Sequence, residues 1–411
     1  MAEPKIVTAI DVGSSKVVSL VGEAMAEPGE FSVIGVGIVP ARGMKRGQVI
    51  NVAEATAAIR ESLDGAERSS TLKINSAIVS ISGSHIGSQN SHGAVAISRG
   101  DQGVSLSDVN HSLESAQAIS VPNNREIIHV IPRHFKVDEQ DGVRNPIGML
   151  GFRLEAQAHI VTGATTSIQN LIKCVNAAQV EVSELVLAAL GSAEAVLTPS
   201  EREMGVVLVD IGNGTTDIAI FIDGAVWHTC VIEVGGSHFT SDLALCLRLP
   251  LETAEQIKLS SGHCNPEDLP LDNPFIVAGF GDEERVTIRR RDIAEILHAR
   301  AEELFGLIVQ EIKRSGYDGL LPAGLVITGG GALLPGLRDV ARETTQLPVR
   351  TAQPTSLHGL VDNLHSPAYA TAIGLLKWGL HDIVARPSKR RRPGLHLNLK
   401  GWWSNLLPRS G

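Results

Sequence analysis

The pattern that constrains this chain most is an apolar run, an Asp-x-Gly turn and a second apolar run, written twice. Residues 206–222 read Val-Val-Leu-Val-Asp-Ile-Gly-Asn-Gly-Thr-Thr-Asp-Ile-Ala-Ile-Phe-Ile. Residues 6–20 read Ile-Val-Thr-Ala-Ile-Asp-Val-Gly-Ser-Ser-Lys-Val-Val-Ser-Leu. Continuous Val, Ile and Leu on both sides of a Gly-rich turn predict two buried strands joined in a hairpin. An ordinary tight hairpin accounts for one such turn. Two of them, far apart in one chain, point instead to a duplicated core whose halves face each other across a cleft.

The turns carry the residues that a phosphate site needs. Glycines let backbone N–H groups approach an anion closely, hydroxyls add donors, and an aspartate at a strand end holds Mg2+ through water. The second turn offers Asp210, Gly212, Gly214, Thr215, Thr216 and Asp217, and the first, shorter turn ends in Lys16. A third glycine feature lies in residues 325–334, Leu-Val-Ile-Thr-Gly-Gly-Gly-Ala-Leu-Leu, a buried strand running into Gly329, Gly330 and Gly331 and a helix start. Bare backbone there would admit a flat ring or a phosphate, although a plain strand-to-helix turn also uses one or two glycines.

At 411 residues the chain exceeds a single ordinary core, so two or more domains are expected. The four cysteines, Cys174, Cys230, Cys246 and Cys264, form no C-x-x-C pair, which predicts a reducing compartment with neither a disulfide framework nor a zinc site. Met1 to Pro4 lead straight into Lys5 and the first strand, so no signal peptide is expected, and no apolar run is long enough to span a bilayer. The net charge of −9 is uneven: seven Lys/Arg and no Asp/Glu follow Ala385, so +7 sits in the tail and −16 on the rest. An acidic body argues against nucleic acid as a partner, and a basic tail argues for one local anionic partner.

In order, strands are expected at residues 31–39 and 76–81, a turn at 43–47 and a helix at 52–64. Residues 84–159 change texture to polar, Gly/Ser-rich sequence, with strands at 93–98 and 127–135 around a helix opened by Ser107 and Asp108. This predicts a small inserted α+β subdomain. Strands at 156–162 and 180–186, a helix at 167–178 and a small-residue helix at 188–197 follow, with a break at Pro199. After the central hairpin come helices at 240–247 and 251–260, loop or irregular strand at 261–284 and a long amphipathic helix at 291–314. That helix turns Ile293, Ile296, Leu297, Leu304, Ile308 and Ile312 inward, and a last packed helix covers 370–380.

Two Asp-x-Gly hairpins and a late Gly-Gly-Gly in this order resemble the actin/Hsp70/sugar-kinase ATPase superfamily. Pro146-Ile-Gly-Met149 followed by Arg153-Leu-Glu155, Glu184-Leu-Val-Leu187, Ala254-Glu-Gln-Ile-Lys258 and the tail resemble, across essentially the whole chain, the FtsA family of bacterial cell-division proteins. The fold implied is α/β, an actin-like duplicated ATPase fold with two domains around a nucleotide cleft and an inserted α+β subdomain in the first half. It divides the chain into a first domain (1–82, continued at 160–198 and 353–385), an insert (83–159), a second domain (199–247 and 318–352) and its peripheral subdomain (248–317). A basic linker (386–394) and an amphipathic membrane-targeting helix (395–411) complete it.

The resemblance implies ATP and Mg2+ as ligands. It assigns Asp11, Gly13, Ser14, Ser15 and Lys16 to the first phosphate loop, and Asp210, Gly212, Asn213, Gly214, Thr215 and Thr216 to the second, with Asp11 and Asp210 flanking Mg2+ through water. Gly329, Gly330 and Gly331 match the adenosine loop, and Gly235, Gly236, Glu255 and Lys258 fall where the family contacts the nucleoside. Asn213 replaces the usual middle glycine and, tolerating left-handed backbone, should preserve the turn. Ala188 and Ala189 stand where related ATPases place a water-orienting Gln or Glu, so any hydrolysis should be slow and no catalytic residue is assigned.

Beyond the linker, Leu399, Trp402, Trp403, Leu406 and Leu407 recur at helical spacing, with Lys400, Asn405 and Arg409 elsewhere on the wheel. That is the pattern of a short helix lying in an anionic lipid interface, its marginal affinity multiplied by self-assembly into a protofilament; a helix docked on the body or a disordered tail are the alternatives, and docking alone leaves the basic run unexplained. Arg290 and Arg300, in an arginine-rich stretch, fall where the family receives the acidic C-terminal peptide of the tubulin-like division protein FtsZ, while a solvated helix face explains them from sequence alone. The function implied is septum assembly: anchoring FtsZ filaments, with other division proteins as further partners, at the cytoplasmic face of the cell membrane. The alternatives are a small-molecule kinase, which has no use for the tail, or an Hsp70-like ATPase, which needs a substrate-binding domain that the stretch after Leu380 is too short to hold.

Overall fold

The computed structural model describes residues 5–25, 30–97, 102–118, 121–270, 274–280 and 285–385, with backbone only for 381–385. The basic linker and the amphipathic tail, including Leu399, Trp402, Trp403, Leu406 and Leu407, lie outside the described residues.

The duplication read from the two hairpins is a duplication of topology. One sheet runs in the order Glu181–Leu187, Ser76–Ile81, Ile6–Val12, Lys16–Ala24, Phe31–Pro40, with the short His358–Gly359 at its edge. The other runs Val349–Thr351, Leu325–Thr328, Val206–Ile211, Thr216–Ile222, Ala225–Ile232. In each, the first strand of the hairpin pairs parallel with a later strand on one side and antiparallel with its hairpin partner on the other. Ile10 opposite Val79, one residue before Asp11, corresponds to Val209 opposite Ile327, one residue before Asp210. The second hairpin is covered on both faces, so Val206–Ile211 and Thr216–Ile222 are buried at every position, and continuous apolar runs are what such doubly covered strands require.

Helices then cover these sheets. Val52–Ser70 begins at Asn51, whose side chain accepts from the Ala53 and Glu54 amides, and it buries Ala55, Ala58, Ile59, Leu63 and Ala66 on one face. It runs past the expected stop at residue 64 to Thr71, which turns left-handed at φ 58°. Arg290–Ser315 buries Ile293, Leu297, Leu304, Ile308 and Ile312 against the second sheet as expected, with Ile296 packed at the margin. Two helices, Ala188–Val196 and Ala370–Ala385, cross beneath the cleft where Gly191 meets Gly374. A methyl on Gly374 would collide with the Gly191 carbonyl, so the backbones themselves are in contact.

The inserted residues form a third sheet, Gly87–Ala96, Arg153–Ala164, Arg125–Val137, Gln140–Val143, all antiparallel, under the helix Leu106–Gln117. It has its own core of Val109, Leu113, Phe135, Leu154 and Ala156. The helix opens two residues earlier than expected: Ser105 Oγ accepts from Asp108 N, and the Asp108 carboxylate accepts from Ser105 N at 2.9 Å, a reciprocal cap. The strand Arg153–Ala164 runs past residue 159, so that expected boundary falls inside an element.

Other expectations are extended or corrected. The break holds, the small-residue helix ending at Val196, but Pro199 also opens an element that the sequence did not suggest. This residue is the first of the helix Pro199–Met204, which Thr198 and Glu201 cap. Ala225–Ile232, unassigned from sequence, is the edge strand of the second sheet. Within 261–284, Pro274–Ala278 pairs with Arg285–Arg289.

Candidate functional site

The equivalent ends of the two hairpins meet. Each turn closes in the same way, Gly13 N donating to Lys16 O at 3.1 Å and Gly212 N to Thr215 O at 2.9 Å. They face each other across a cavity of about 480 Å³. The turns also touch: Asn213 Nδ2 donates to Ser14 O at 3.5 Å, and a methyl on Gly214 would lie 2.9 Å from Ser14 Oγ. Asn213 is not among the residues with left-handed backbone. Its amide therefore bridges the loops, and the conformational tolerance expected of it is not used.

Of the residues singled out above, Asp11, Gly13, Ser14, Ser15, Lys16, Asp210, Gly212, Asn213, Gly214, Thr215, Gly236, Glu255, Lys258, Gly329, Gly330 and Gly331 line this cavity. Thr216 and Gly235 do not. Thr216 Oγ1 donates to Val234 O at 2.7 Å, and Gly235 packs on the carbonyls of Gly212 and Asn213. Gly329 holds φ 84°, and a side chain there would strike the Asp210 carboxylate and the Ile211 carbonyl. Leu333, Leu334, Phe239 and Pro335 add an apolar wall beside the Gly-Gly-Gly turn.

Each carboxylate at the cavity floor has hydroxyl partners from another part of the chain. Ser80 Oγ donates to Asp11 Oδ1 at 2.7 Å. Ser192 and Thr371 both donate to Asp210 Oδ2, Thr371 at 3.0 Å. Ser82 Oγ donates to Asp217 Oδ1 at 2.7 Å, and Thr215 Oγ1 to its other oxygen at 3.2 Å. Burial pushes Asp11 up to about 6, against the Ser80 hydrogen bond and the Lys16 charge, with the nearby Asp210 adding to the rise. Burial, then the neighbouring Asp210 and Asp11, push Asp217 up to about 7. Asp210 is raised by burial, opposed by its two hydroxyl donors and Lys16. Lys16, whose ammonium also lies 4.9 Å from the Tyr369 ring centre, is lowered by burial and supported by Asp11 and Asp210.

Three carboxylates held close together against their desolvation form an oxygen donor set suited to a hard divalent cation, directly or through water. Lys16 and the glycine backbone beside them suit an anion. Lys258 Nζ, bonded to Gly236 O at 3.0 Å, Thr240 Oγ1 at 2.8 Å and Glu255 at 2.7 Å, fixes the opposite rim. The sequence named Asp217 among the residues of the second turn without giving it a ligand role, and it did not point to Ser80, Ser82, Ser192 or Thr371. Only Asp217, inside the second motif, carried a local signal.

The arginines stand elsewhere, on the long helix. Arg300 is held in a two-pronged pair by Asp242, with Nε at 2.5 Å and Nη2 at 2.8 Å, and by Glu303 at 2.6 Å. Arg290 Nε is buried without a hydrogen-bond partner.

Residues 207–374 match the family model described as "Cell division protein FtsA", 83–162 match "SHS2 domain inserted in FTSA", and 155–245 match "Ethanolamine utilisation protein EutA". Cell division protein FtsA of Pseudomonas aeruginosa is 42% identical over 376 residues, covering 92% of this chain and 89% of the relative. The Bacillus subtilis protein of that name is 35% identical over 378 residues, 92% of this chain and 84% of the relative. Among solved structures, the PilM-PilN type IV pilus biogenesis complex superposes with a TM-score of 0.66 at 15% identity, covering 91% of this chain and 98% of that one. MreB5 of Spiroplasma citri bound to ADP gives 0.54 at 13%, covering 90% and 94%. The MamK double helical filament gives 0.52 at 12%, covering 91% and 98%. These likenesses show the actin-like duplicated fold expected from the two hairpins.

Proposed function

Because this chain belongs to the FtsA family of cell division proteins, we propose that it is an ATP-binding, actin-like division protein that polymerises at the cytoplasmic membrane and anchors FtsZ filaments there during septum assembly. The observation that carries the nucleotide part is the cavity between the two matched turns, lined by Asp11, Asp210 and Asp217 with Lys16 at one end, Glu255 and Lys258 at the other rim, and the Gly-Gly-Gly turn. In this reading Lys16 and the backbones of the two turns hold the phosphates. Asp11 and Asp210, with Asp217 beside them, hold Mg2+ through water. Residues 329–331 and the Leu333, Leu334 wall take the base, and Lys258 and Glu255 the sugar side. Bound Mg2+ would offset the charge that makes these carboxylates costly to bury.

Turnover in this reading is slow. Ala188 lines the cavity where a water-orienting side chain would be needed, and Glu194 on the same helix is paired with Arg202 at 2.7 Å. Asp217 is the remaining carboxylate placed to order a water, and it is protonated for part of the time at neutral pH. Membrane attachment rests on the basic linker and on Leu399, Trp402, Trp403, Leu406 and Leu407, each basic residue near an anionic surface adding about 1 kcal/mol. Filament formation multiplies that weak attachment.

The test is vesicle flotation with ATP and Mg2+, using the full chain and a chain lacking residues 395–411, each with FtsZ or with FtsZ lacking its C-terminal peptide. The full chain is expected to float with anionic vesicles, show filaments on them and carry intact FtsZ upward. The truncated chain should bind nucleotide but stay with its FtsZ at the bottom. A full chain that remains at the bottom, or FtsZ that floats equally well without its peptide, sinks the adaptor reading.

A further inference from the structure

Away from the cleft, the edge strand Ala225–Ile232 and the long helix Arg290–Ser315 bring His228, Cys230 and Glu311 together. His228 and Cys230 are two residues apart on a strand and so share a face. A bulge at Trp227, where Phe221 pairs with Val226 and Ile220 with His228, sets their direction. One ligand atom from each of the three residues lies within 4.8 Å of the others, and His228 Nε2 is 3.8 Å from Glu311 Oε2. We propose that His228, Cys230 and Glu311 form a transition-metal site that takes Zn2+, distinct from the nucleotide cleft.

The donor set decides the metal. Imidazole, thiolate and carboxylate suit zinc, whereas Mg2+ and Ca2+ take oxygen only. Bond lengths of about 2.0–2.3 Å put tetrahedral ligands about 3.5 Å apart. The His–Glu separation is already close to this, and rotamer adjustment closes the rest.

The surroundings fit a ligand role. His228 Nε2 is buried and has no hydrogen-bond partner, an orphan that costs free energy unless something engages it. Burial keeps that imidazole neutral, the form that binds metals. Arg314 donates Nε at 3.0 Å and Nη2 at 2.6 Å to Glu311 Oε2, the oxygen nearest His228, a second contact of the kind that orients metal ligands. On binding, the Cys230 S–H proton leaves to solvent as the sulfur–metal bond forms, so thiolate, carboxylate and Zn2+ sum to zero charge. A fourth position remains for water. The spacing rule for cysteine pairs could not find this site, because one strand and one helix assemble it from single residues.

Co2+ is the probe, added to the EDTA-treated full chain. One equivalent is expected to give a thiolate-to-cobalt charge-transfer band and the strong visible absorption of a tetrahedral complex, both displaced by Zn2+. Cys246→Ser, at an exposed cysteine, should retain the band and Cys230→Ser should lose it. His228→Gln and Glu311→Gln should each weaken Co2+ binding at least tenfold. Metal held at the cleft carboxylates gives no thiolate band, so the two locations are distinguishable. Absence of the band in the parent chain, its persistence in Cys230→Ser, or unchanged affinity in both other variants overturns the site. Circular dichroism of the metal-free variants checks their fold, and if Cys230→Ser fails to fold, His228→Gln carries the test.

Discussion

Ser82, at the end of a first-half strand, donates its hydroxyl to Asp217 of the second half at 2.7 Å. Two residues earlier Ser80 does the same for Asp11 at 2.7 Å. One strand end thus holds a carboxylate from each half of the duplicated core, and widening the cleft has to break the Ser82 bond. Ser82→Ala should leave Asp217 with Thr215 alone and raise the rate of nucleotide release several-fold in stopped-flow measurements, with little effect on melting, since one net hydrogen bond is worth about 1 kcal/mol.

Asp217 rises from 3.8 to about 7 on folding. The folded state then holds more protons than the unfolded one between these values, so its stability falls as pH rises through that window. At about 1.4 kcal/mol per unit, full ionisation costs a few kcal/mol. In EDTA without nucleotide, Asp217→Asn should therefore melt several degrees above the parent at pH 8, and the gap should close below about pH 4. A gap constant with pH would show that burial of this carboxylate is not the cause.

Lys16 is the cation between Asp11 and Asp210. Lys16→Ala is expected to weaken binding of a fluorescent ATP analogue at least tenfold. Gly329→Ala should abolish it and also lower the melting temperature, because its side chain would enter the space of the Asp210 carboxylate at a left-handed φ of 84°.

In the adaptor reading proposed above, Arg290 and Arg300 are expected to respond differently to charge reversal. Arg300→Glu breaks the pair with Asp242, whose side chains are only 20% and 22% exposed, and sets like charges together. A loss of about 2 kcal/mol is expected, between exposed and buried pairs. Arg290→Glu should weaken binding of the FtsZ C-terminal peptide at least tenfold with little change in melting. Fluorescence anisotropy with calorimetry on both variants checks this, and equal peptide affinity for parent and Arg290→Glu removes Arg290 from the surface.

His159 joins the inserted sheet to the second half, with Nδ1 2.7 Å from Asn90 Oδ1 and Nε2 2.9 Å from Thr229 Oγ1. Burial, with His228 and Arg133 nearby, lowers it to about 3. Its contribution is therefore complete above its ordinary value of 6.5 and is lost as pH falls below that toward 3. Hydrogen-exchange protection of Gly87–Ala96 and Ala225–Ile232 should decline between about pH 7 and pH 5, after correction for intrinsic rates. His159→Gln should flatten that decline.

The two hairpins and the Gly-Gly-Gly turn were legible because apolar runs and glycine turns are local signals. Ser76–Ile81 falls where its sequence placed it. Gly87–Ala96 was harder: polar and glycine-containing, it is a strand because Arg153–Ala164 pairs with it along its whole length. Ala225–Ile232 interleaves His and Thr with apolar residues, and it is covered only when the inserted sheet folds back, Ser88 Oγ donating to Thr229 O at 2.7 Å. The cleft hydroxyls left no trace in sequence. Ser80 lies 69 residues from Asp11, and Thr371 lies 161 from Asp210. Single serines and threonines at such separations look like any others until the chain is folded.

The crossing of Gly191 and Gly374 has a mechanical consequence. Ser192 and Thr371, one on each crossing helix, grip the same oxygen of Asp210, and the bare contact beside them leaves no compressible side chain to absorb a shift. The helix Ala370–Ala385 has 16 residues, a rod of about 24 Å. A rigid shift of this helix at the Asp210 carboxylate would therefore also move its far end at Ala385, where the chain continues into its basic tail.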